Sequence, residues 1–341
     1  MSQISEKEFA LSPFERGSDI GSLWPLKSAD AIGAVRAISD LTSLLEHKIG
    51  GRRCVLLDWP NHPNVGDHLI WLGQKVILKK FLNVEIVYQA DYVETDFERI
   101  AELEDTVILC HGGGNFGDLY IHHQKFRENI VRRFPEREII FLPQTIYYQD
   151  DRQMHASSRA LAGHPNLTIF TRDLTSYASA ASMVAGRNVH LAIDSAFALQ
   201  SLIPRFAHRF AESKRQPLYL LRQDRESHLS NLDRPENALL VDWIAEDSLD
   251  WVLKEVDALS VIDEFGLREL IDSEWELRSL VHFVRAVCLF AKASYVVTDR
   301  LHAHILALLM GVENDAHDNT YGKISAFSNA WTCDDPLVAV R

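Results

Sequence analysis

Four residues of types that bind anions or transfer protons stand close together in the segment 291–311. They are Asp299, Arg300, His302 and His304, within AKASYVVTDRLHAHILALLMG. An arginine recognises anions, and a histidine can give or take a proton near neutral pH. The simpler alternative is that these four residues are solvent-exposed side chains at the start of a helix, where polar residues are common. Matching polar turns after other strands of the chain favour a functional site.

The predicted elements around these residues explain how they can act together. Residues 294–298 are uncharged and rich in β-branched and aromatic side chains, which predicts a short buried strand. Thr298 or Asp299 can cap the helix that follows, and Gly311 ends it. A strand that feeds directly into a helix brings polar side chains to free backbone N–H groups, and this combination attracts anions.

Other predicted strands also end in polar turns. Asp67, in PNVGDHLIW, is a helix cap or, if it faces the same site, a carboxylate that accepts a proton from a hydroxyl. Arg172 precedes Asp173 in TRDLTSY, where Asp173 pairs with the arginine or helps to cap a helix. Arg222 follows the strand in LYLLRQD, where an arginine is costly unless it meets an anion. Lys323 lies in the turn DNTYGK, where a solvated lysine is the ordinary state.

The glycine-rich sequence HGGGNFGD contains a literal GxGxxG at Gly112, Gly114 and Gly117. A dinucleotide-binding fingerprint is disfavoured, because the preceding strand is not the first of its domain and the next strand ends in FLPQT without an acidic residue. Two interpretations stay open. The segment is a tight turn between a strand and a helix, or its glycines let a ligand approach the backbone, with His111 and Asn115 at the rim.

The overall composition is that of a soluble globular protein, with 341 residues, 47% of them hydrophobic and 24% charged. The formal net charge of −13 argues against a nucleic-acid or acidic-membrane partner, so an anionic substrate needs a local cluster of cations. The N-terminus lacks a signal-peptide pattern, and no apolar stretch is long enough to span a bilayer. We therefore expect a cytoplasmic protein.

The four cysteines are widely spaced and form no CxxC pair. Cys54, Cys110 and Cys288 lie in apolar segments, which predicts that their thiols are buried. Cys333 does not lie in such a segment. No structural zinc or other metal site is expected.

Buried strands alternate with helices along the chain, which predicts parallel sheets covered by helices on both faces. Strands are predicted at 54–59, 85–89, 107–110, 138–142, 167–171 and 189–193, with helices at 67–81 and 122–133. A basic, proline-containing stretch at 203–217 looks like a linker, and the pattern restarts at 218–224. We expect an α/β fold of two Rossmann-like domains facing a central cleft, residues 1–205 with an N-terminal arm and residues 206–341 with a tail packing back across the boundary.

Seven segments, taken together and in order, resemble the polysaccharide pyruvyl transferase family. They are NVGDHLI (64–70), HGGGNFGD (111–118), LPQT (142–145), TRDLTS (171–176), DSAFAL (194–199), TDRLHAHILALLMG (298–311) and DNTYGK (318–323). The resemblance spans roughly residues 54–324, and the combination is far more specific than any single segment. The sequence departs from the family at GVENDAHDN, where an apolar strand usually precedes the DN.

The resemblance implies a GT-B-like enzyme that transfers the carbon skeleton of phosphoenolpyruvate to a sugar of an exopolysaccharide or cell-surface glycan precursor, forming a pyruvate ketal. It implies that Arg172 and Arg300 hold phosphoenolpyruvate, with Arg222 and Lys323 as further members, and that His302 is the general acid. The donor is a substrate, and no cofactor is expected.

A second group of candidates concerns the acceptor. Asp67 is the second catalytic candidate. The residues assigned to the acceptor sugar are Asn64, His111, Gly113, Asn115 and Gln144. The acceptor can be a lipid-linked oligosaccharide, which is compatible with a peripheral contact at the inner membrane face.

The residue types suit this chemistry. Phosphoenolpyruvate carries a phosphate and a carboxylate, which two or more guanidinium groups can bind. Protonation of its methylene carbon creates an oxocarbenium-like centre for a sugar hydroxyl to attack; phosphate then leaves and a second hydroxyl closes the ring. His302 and His304 are two residues apart, so on a regular helix only one is expected to reach the site. The family motif selects His302, and no step needs a metal or a nucleotide.

Two other classes stay open from the sequence. A GT-B glycosyltransferase would share the fold but bind a sugar nucleotide, so release of phosphate from phosphoenolpyruvate distinguishes the two. A catalytically inactive binding protein of the same fold would be expected to lose Arg172, Arg300 or His302, and all three are present.

Overall fold

The structure is a computed structural model that describes residues 29–203, 215–222, 233–243, 257–318 and 321–340. The predicted N-terminal arm and most of the predicted linker at 203–217 lie outside the described residues.

The first sheet contains seven of the described strands. They are β1 (Arg53–Leu57), β2 (Ile86–Ala90), β3 (Thr106–Cys110), β4 (Gly113–Gly117), β5 (Ile139–Tyr147), β6 (Leu167–Thr171) and β7 (Val189–Leu191). Six of them run in the order β2-β1-β3-β5-β6-β7, β4 pairs with β5, and these pairings are parallel. The predicted strands of this region are thus confirmed, with β5 extending well beyond its predicted end.

Alternating side chains of this sheet enter two separate hydrophobic clusters. Leu56 and Leu109 belong to one cluster, whereas their neighbours Val55 and Ile108 belong to the other. Because successive side chains of a strand point to opposite faces, both faces of the sheet are covered, as expected for a parallel sheet.

The second sheet is built from β8 (Gln216–Leu220), β9 (Leu239–Val241), β10 (Ala293–Thr298), β11 (Asn314–Ala316) and β12 (Val338–Val340). Its order is β12-β11-β10-β8-β9, again with parallel pairings. β11 lies in the segment that departs from the family pattern. It is a short strand with a buried asparagine, Asn314, rather than an apolar strand.

Ten helices accompany the sheets within the described ranges. They are α1 (Ala29–Ile49), α2 (Val65–Lys75), α3 (Phe97–Glu102), α4 (Ile121–Arg133), α5 (Asp151–Leu161), α6 (Leu174–Met183), α7 (Ala258–Glu264), α8 (Leu277–Ala291), α9 (Leu301–Leu309) and α10 (Lys323–Trp331). A π-helical segment, Val76–Phe81, continues α2, and 3-10 turns occupy Ser195–Ser201, Leu267–Leu270 and Glu274–Glu276. None of the helices described here has both the length and the apolar character needed to cross a bilayer.

Buried polar contacts join α2 and the loop before it, which follow β1, to the 3-10 turn Glu274–Glu276 and the start of α8, which precede β10. The indole N–H of Trp71 donates to Glu276 at 2.9 Å, and the Lys75 ammonium lies 3.1 Å from the same carboxylate oxygen. Trp59 similarly donates to the Ser279 hydroxyl at 3.1 Å. These pairs fix the two helices against one another with their polar groups satisfied.

The last helix, α10, contacts elements of the first sheet. The Trp331 indole donates to the carbonyl of Arg172 at 2.9 Å, and Phe327 stacks on Phe197 with ring centroids 6.2 Å apart. One hydrophobic cluster also runs through both sheets. The helix between β11 and β12 of the second sheet therefore packs against the part of the chain that carries the first sheet.

The cysteine prediction is confirmed. Cys54, Cys110 and Cys288 are buried and Cys333 is exposed, all as thiols. Burial raises the pKa of the Cys54 thiol to about 12, so it stays protonated.

Candidate active site

A pocket of about 260 Å³ collects residues that follow strands of both sheets. It is lined by His62, Pro63, Asn64, Asp67, Gly114, Asn115, Tyr120, His123, Arg222, Trp243, Arg300, Leu301, His302 and Lys323. The carboxyl ends of parallel strands are where α/β proteins place their ligands. Seven residues expected from the sequence line this pocket: Asn64, Asp67, Asn115, Arg222, Arg300, His302 and Lys323.

The junction between β10 and α9 is held by Thr298. Its hydroxyl donates to the Leu220 carbonyl at 2.7 Å and accepts from the Arg300 backbone N–H at 3.0 Å. The predicted cap is wrong in detail: Arg300 occupies the N-cap position of α9 and provides no side-chain cap. Free N–H groups at this helix start therefore remain available next to the pocket.

Asp299 joins two strand ends of the second sheet. One carboxylate oxygen accepts the backbone N–H of Arg222 at 2.8 Å, and the other has no hydrogen-bond partner among the described residues. Burial raises the pKa of Asp299, although the Arg222 N–H and the charge of Arg300 oppose this effect. Asp299 thus positions the turn that carries Arg222.

Arg300 is nearly buried and held by a carboxylate. Its Nε donates to Asp242 at 2.7 Å, and its Nη2 lies 2.6 Å from the same oxygen. Asp242 follows β9 and was not a candidate from the sequence, where residues 239–243 gave no clear secondary-structure signal. This ion pair fixes the direction of the guanidinium toward the pocket.

Arg172 is fully buried directly behind His302. Its Nη1 donates to Asp194 and lies 3.3 Å from Nε2 of His302, and its Nε donates to the Thr145 hydroxyl at 2.8 Å. Its Nη2 has no hydrogen-bond partner within the described ranges. A buried guanidinium group with an unpartnered N–H donor can bind an anion.

Asp173 does not pair with Arg172, one of the two alternatives that the sequence left open. It caps α6 by accepting the backbone N–H of Ser176 at 2.7 Å. Asp194, within the DSAFAL segment, takes the arginine instead. Burial alone would raise the pKa of Asp194, but Arg172 and His302 hold it well below its usual value. Asp194 is therefore a permanent negative charge between the two.

His302 is the titratable group most closely packed against these charges. Burial lowers the pKa of His302, while a hydrogen bond to Asp194 and the charge of that carboxylate oppose the shift. Nδ1 of the ring lies against Gly66, where a Cβ would overlap it. The imidazole is held between both sheets, and it is neutral in the free protein near pH 7.

His304 points away from the pocket, as the spacing predicted for one of the two histidines. Its Nδ1 contacts the side-chain oxygen of Asn314 at 2.6 Å, and its Nε2 contacts the Thr332 hydroxyl at 3.0 Å. Burial lowers the pKa of His304 to about 4. It is a satisfied core histidine that ties α9 to the end of the chain.

Asp67 lies in the first turn of α2 and is not its cap, which corrects one sequence expectation. Asn64 is the cap, and its amide also donates to Asp67 at 2.7 Å. Burial would raise the pKa of Asp67, but the charges of His62 and His302, in that order, help to hold it well below its usual value. Gly113 lies beside Asp67: a Cβ atom added to Gly113 would be 3.3 Å from a carboxylate oxygen of Asp67.

The glycine-rich segment forms strand β4 rather than a tight turn, because it pairs with the extended end of β5. Gly114 makes room for a protein side chain: a Cβ there would overlap Nζ of Lys323 and lie 3.3 Å from Nη2 of Arg172. The ammonium of Lys323 and the spare donor of Arg172 thus meet at one point.

His111 and Gln144 lie behind the pocket rather than in its wall. Both are buried, the Gln144 amide donates to the His111 carbonyl at 2.6 Å, and Nδ1 of His111 contacts Gln74 at 3.0 Å. Burial lowers the pKa of His111 to about 4. Neither residue lines the pocket, so a direct contact with a ligand would require them to be uncovered.

Sequence reasoning missed a buried carboxylate beside the pocket. Asp58, one residue beyond β1, accepts a hydrogen bond from Nδ1 of His123 at 2.8 Å, and His123 lines the pocket. The sequence offered two weak signals. Asp58 ends the strongly apolar segment CVLLD, and His123 lies at the start of the helix that follows the glycine-rich segment.

Comparisons with known proteins identify the family of the chain. A family model described as polysaccharide pyruvyl transferase matches residues 64–314. "Pyruvyl transferase 1" of Schizosaccharomyces pombe is 30% identical over 319 residues, covering 90% of this chain and 77% of that protein. A Bacillus subtilis protein named "Putative pyruvyl transferase EpsO" is 32% identical over 282 residues, covering 81% of this chain and 84% of that protein.

A likeness to a solved structure bears on the fold alone. The crystal structure of a functionally uncharacterised protein from Klebsiella pneumoniae matches with a TM-score of 0.57 at 17% identity, covering 89% of this chain and 97% of that one. Since the family model spans well over half of the chain and relatives reach 30% identity over most of it, this chain belongs to the polysaccharide pyruvyl transferase family and is a transferase enzyme.

Proposed function

We propose that the enzyme transfers the pyruvyl group of phosphoenolpyruvate to a sugar of an exopolysaccharide or cell-surface glycan precursor, forming a ketal and releasing phosphate. One observation carries the proposal. Three cations from distant positions, Arg222, Arg300 and Lys323, line one pocket with His302, and a fourth, Arg172, contacts the His302 ring, in a chain whose formal net charge is −13. Such a local cluster is what a small, multiply charged anion requires.

The two buried arginines suit the two anionic groups of phosphoenolpyruvate. Arg172 and Arg300 are each oriented by a carboxylate, Asp194 and Asp242, and Nη2 of Arg172 has no hydrogen-bond partner among the described residues. Guanidinium groups bind phosphate and carboxylate through paired donors. Lys323 adds a point charge beside the spare donor of Arg172.

His302 is assigned as the general acid that protonates the methylene carbon. Burial keeps its imidazole neutral in the free protein, and the pKa of His302 must rise in the complex for this role. A bound phosphate dianion supplies that change, because a nearby negative charge stabilises the imidazolium. The acid would then be charged only when the donor is in place. Carbon protonation makes the centre that the acceptor hydroxyl attacks, and Asp67 can orient that hydroxyl.

The proposed architecture is GT-B-like, with Rossmann-like domains at residues 1–205 and 206–341 and the pocket in a cleft between them. Its support is the separation of the strands into two parallel sheets, with pocket residues following strands of each. The packing of α10 against α6 suits a tail that returns across the boundary.

The acceptor side of the pocket is proposed to involve Asn64, Gly113 and Asn115, with His111 and Gln144 supporting them from beneath. A lipid-linked oligosaccharide in the cytoplasm, reached by peripheral contact at the inner membrane face, is the acceptor that fits a glycan precursor. No resident cofactor is proposed. A sugar-nucleotide reaction has no observation in its favour, since the family shown is that of pyruvyl transferases.

The test is a direct assay of the reaction. The purified protein is incubated with phosphoenolpyruvate and a panel of lipid-linked and model glycosides, and phosphate release is followed together with the mass of the sugar product. We expect acceptor-dependent phosphate release and a pyruvylated sugar, with His302→Ala as the matched inactive control. Nucleotide release from sugar nucleotides, without phosphate release from phosphoenolpyruvate, would reject the proposal.

A further inference from the structure

Asp58 adopts a backbone conformation that non-glycine residues seldom take. Its φ is +71°, and its side chain is fully buried one residue beyond β1. Residues held in the left-handed region tend to cluster at functional sites, where the surrounding structure compensates for the strain. The conformation aims the Asp58 carboxylate sideways, at His123 on α4.

A set of contacts fixes this carboxylate. Arg127, buried on the same helix as His123, places Nη2 3.5 Å from the second oxygen of Asp58. The amide of Asn115 lies 3.5 Å from that oxygen and is itself held by Arg127 through its side-chain and backbone oxygens. Arg127 and Asn115 thus lie at one oxygen of the Asp58 carboxylate, and the geometry leaves the other oxygen for His123.

The free nitrogen of His123 is available to a ligand. Because Asp58 accepts from Nδ1, the neutral ring carries its lone pair on Nε2. No described residue hydrogen-bonds to Nε2, and the ring lines the pocket, packed against Tyr92 at a centroid distance of 4.7 Å. Asn115, which touches Asp58, directly follows Gly114, where Lys323 and Arg172 meet.

We propose that Asp58 and His123 form the base of the reaction, with His123 taking the proton of the attacking acceptor hydroxyl and Asp58 orienting the ring. This inference rests on the proposed function. An imidazole whose Nδ1–H is held by a buried carboxylate presents a lone pair in a fixed direction and stabilises the charge it acquires. Asp67 is the weaker base, because neighbouring positive groups hold the pKa of its carboxyl well below the usual value.

The step balances in atoms and charge. The O–H bond of one acceptor hydroxyl breaks, its proton moves to Nε2 of His123, and its oxygen bonds to the carbon that bears the phosphate. That carbon's bond to the phosphate oxygen then breaks, and the phosphate leaves with the proton that His123 took up. The oxygen of the second hydroxyl bonds to the same carbon, and its proton replaces the one that His302 gives to the methylene carbon, so the products are a ketal carboxylate and hydrogen phosphate.

Several charged or titratable groups face the same pocket and share its pH dependence. They are His62, Asp67, Arg222, Arg300, His302 and Lys323, with Tyr92, Asp58 and Arg127 packed around His123 itself. A pH profile alone therefore does not identify the base. The test needs a variant that removes the charge next to His123 and keeps the shape of the side chain that carries it.

Asp58→Asn is that variant, since asparagine is isosteric and tolerates a positive φ. The experiment measures kcat and KM for His123→Ala, Asp58→Asn and the wild type, with His122→Ala as the control, because His122 is exposed on the same helix turn. Phosphoenolpyruvate binding is measured by calorimetry, pH profiles are recorded for each active variant, and imidazole is added to His123→Ala.

We expect kcat to fall roughly 10²–10⁴-fold in His123→Ala with donor binding retained, the usual scale for losing a general base. Imidazole should restore part of the rate. In Asp58→Asn the acid limb of the kcat profile should move to lower pH, because the imidazolium loses its carboxylate partner. A purely structural role would produce neither the rescue nor this shift.

The contrary outcomes are distinct. A wild type that releases no phosphate from phosphoenolpyruvate with any acceptor overturns the proposed function, and the base assignment with it. An active wild type with His123→Ala equally active overturns the base assignment alone. A slow His123→Ala that imidazole does not rescue, together with an unshifted profile in Asp58→Asn, also rejects the pair as the base.

Discussion

The imidazole of His302 lies directly against Gly66, so closely that a Cβ at that position would overlap Nδ1 of the ring. His302 lies in the first turn of α9, which follows β10 of the second sheet, whereas Gly66 lies in the first turn of α2, which follows β1 of the first sheet. Gly66 does not have a positive φ, so its lack of a side chain serves this contact rather than a turn. The glycine of the NVGD segment is therefore a packing partner of the proposed acid.

Gly66→Ala is expected to displace His302 without unfolding the protein. Alanine favours a helix over glycine by roughly 1 kcal/mol, which offsets part of the steric cost. Because misplacing a catalytic group by about 1 Å can cost about 10²-fold, we expect a drop of that order in kcat. Steady-state kinetics check this, with Gly33→Ala as the control, since no atom lies within 4 Å of its Cβ position. An unchanged kcat in Gly66→Ala would contradict the assignment.

Replacing Arg172 or Arg300 by lysine should weaken phosphoenolpyruvate binding. Arg172 contacts Asp194, Thr145 and His302 at once, and an ammonium cannot reproduce that planar set of donors. Loss of a charge-assisted hydrogen bond is worth about 1.5–3 kcal/mol, or roughly 10–100-fold in Kd. Calorimetry with phosphoenolpyruvate provides the measurement. If both lysine variants bind as the wild type does, neither arginine holds the donor.

The sequence revealed eight of the twelve strands that the structure describes and half of the pocket residues, because each of those signals was local. An uncharged run such as 294–298 predicts a strand, and the polar residues that follow it must lie at the sheet's carboxyl edge. Partnerships such as Arg300 with Asp242 or His123 with Asp58 join positions about sixty residues apart, and no local pattern encodes them. His111 was expected at the rim, and the structure places it among the buried residues outside the pocket lining.

His302→Ala and His304→Ala should fail in different ways. We expect His302→Ala to lose roughly 10²–10⁴ in kcat while donor binding persists, the scale for losing a general acid. His304→Ala removes the buried hydrogen bonds that His304 makes with Oδ1 of Asn314 and with the Thr332 hydroxyl, which costs about 1–3 kcal/mol of stability and affects kcat less. Kinetics and urea unfolding of both variants separate these effects. If His304→Ala lost turnover while His302→Ala kept it, the general acid would be His304 and not His302.

Tyr321 is expected to position Lys323. Its ring stacks on Tyr147, at the end of β5, with centroids 4.4 Å apart and planes inclined by 21°. Aromatic pairs of this kind contribute about 0.5–1.5 kcal/mol beyond their buried area. Tyr321→Ala should therefore loosen the turn and raise KM for phosphoenolpyruvate about tenfold, whereas Tyr321→Phe should behave as the wild type. Equal KM values in all three proteins would mean that the stack does not orient the lysine.

Buried histidines are expected to make the enzyme acid-sensitive well above the range in which carboxylates titrate. Burial lowers the pKa of His111, His282 and His304 from 6.5 to about 4, with the charge of Arg285 contributing at His282. Between these two pH values the unfolded chain binds protons that the folded chain does not. Stability is therefore complete above pH 6.5 and is lost as the pH falls toward 4, by about 2 kcal/mol per histidine at pH 5.

Urea unfolding at pH 7.5 and pH 5 measures this loss. His304→Gln keeps a polar side chain in the core but removes one titrating group, so it should be less stable at pH 7.5 and lose about 2 kcal/mol less on acidification. His122→Gln, at an exposed position, should lose as much as the wild type. The carboxylates of Asp67 and Asp194 contribute only below this window, because the pKa of each lies well below 3.8. A wild type and a His304→Gln variant with the same acid sensitivity would show that His304 is protonated in the folded protein at pH 5.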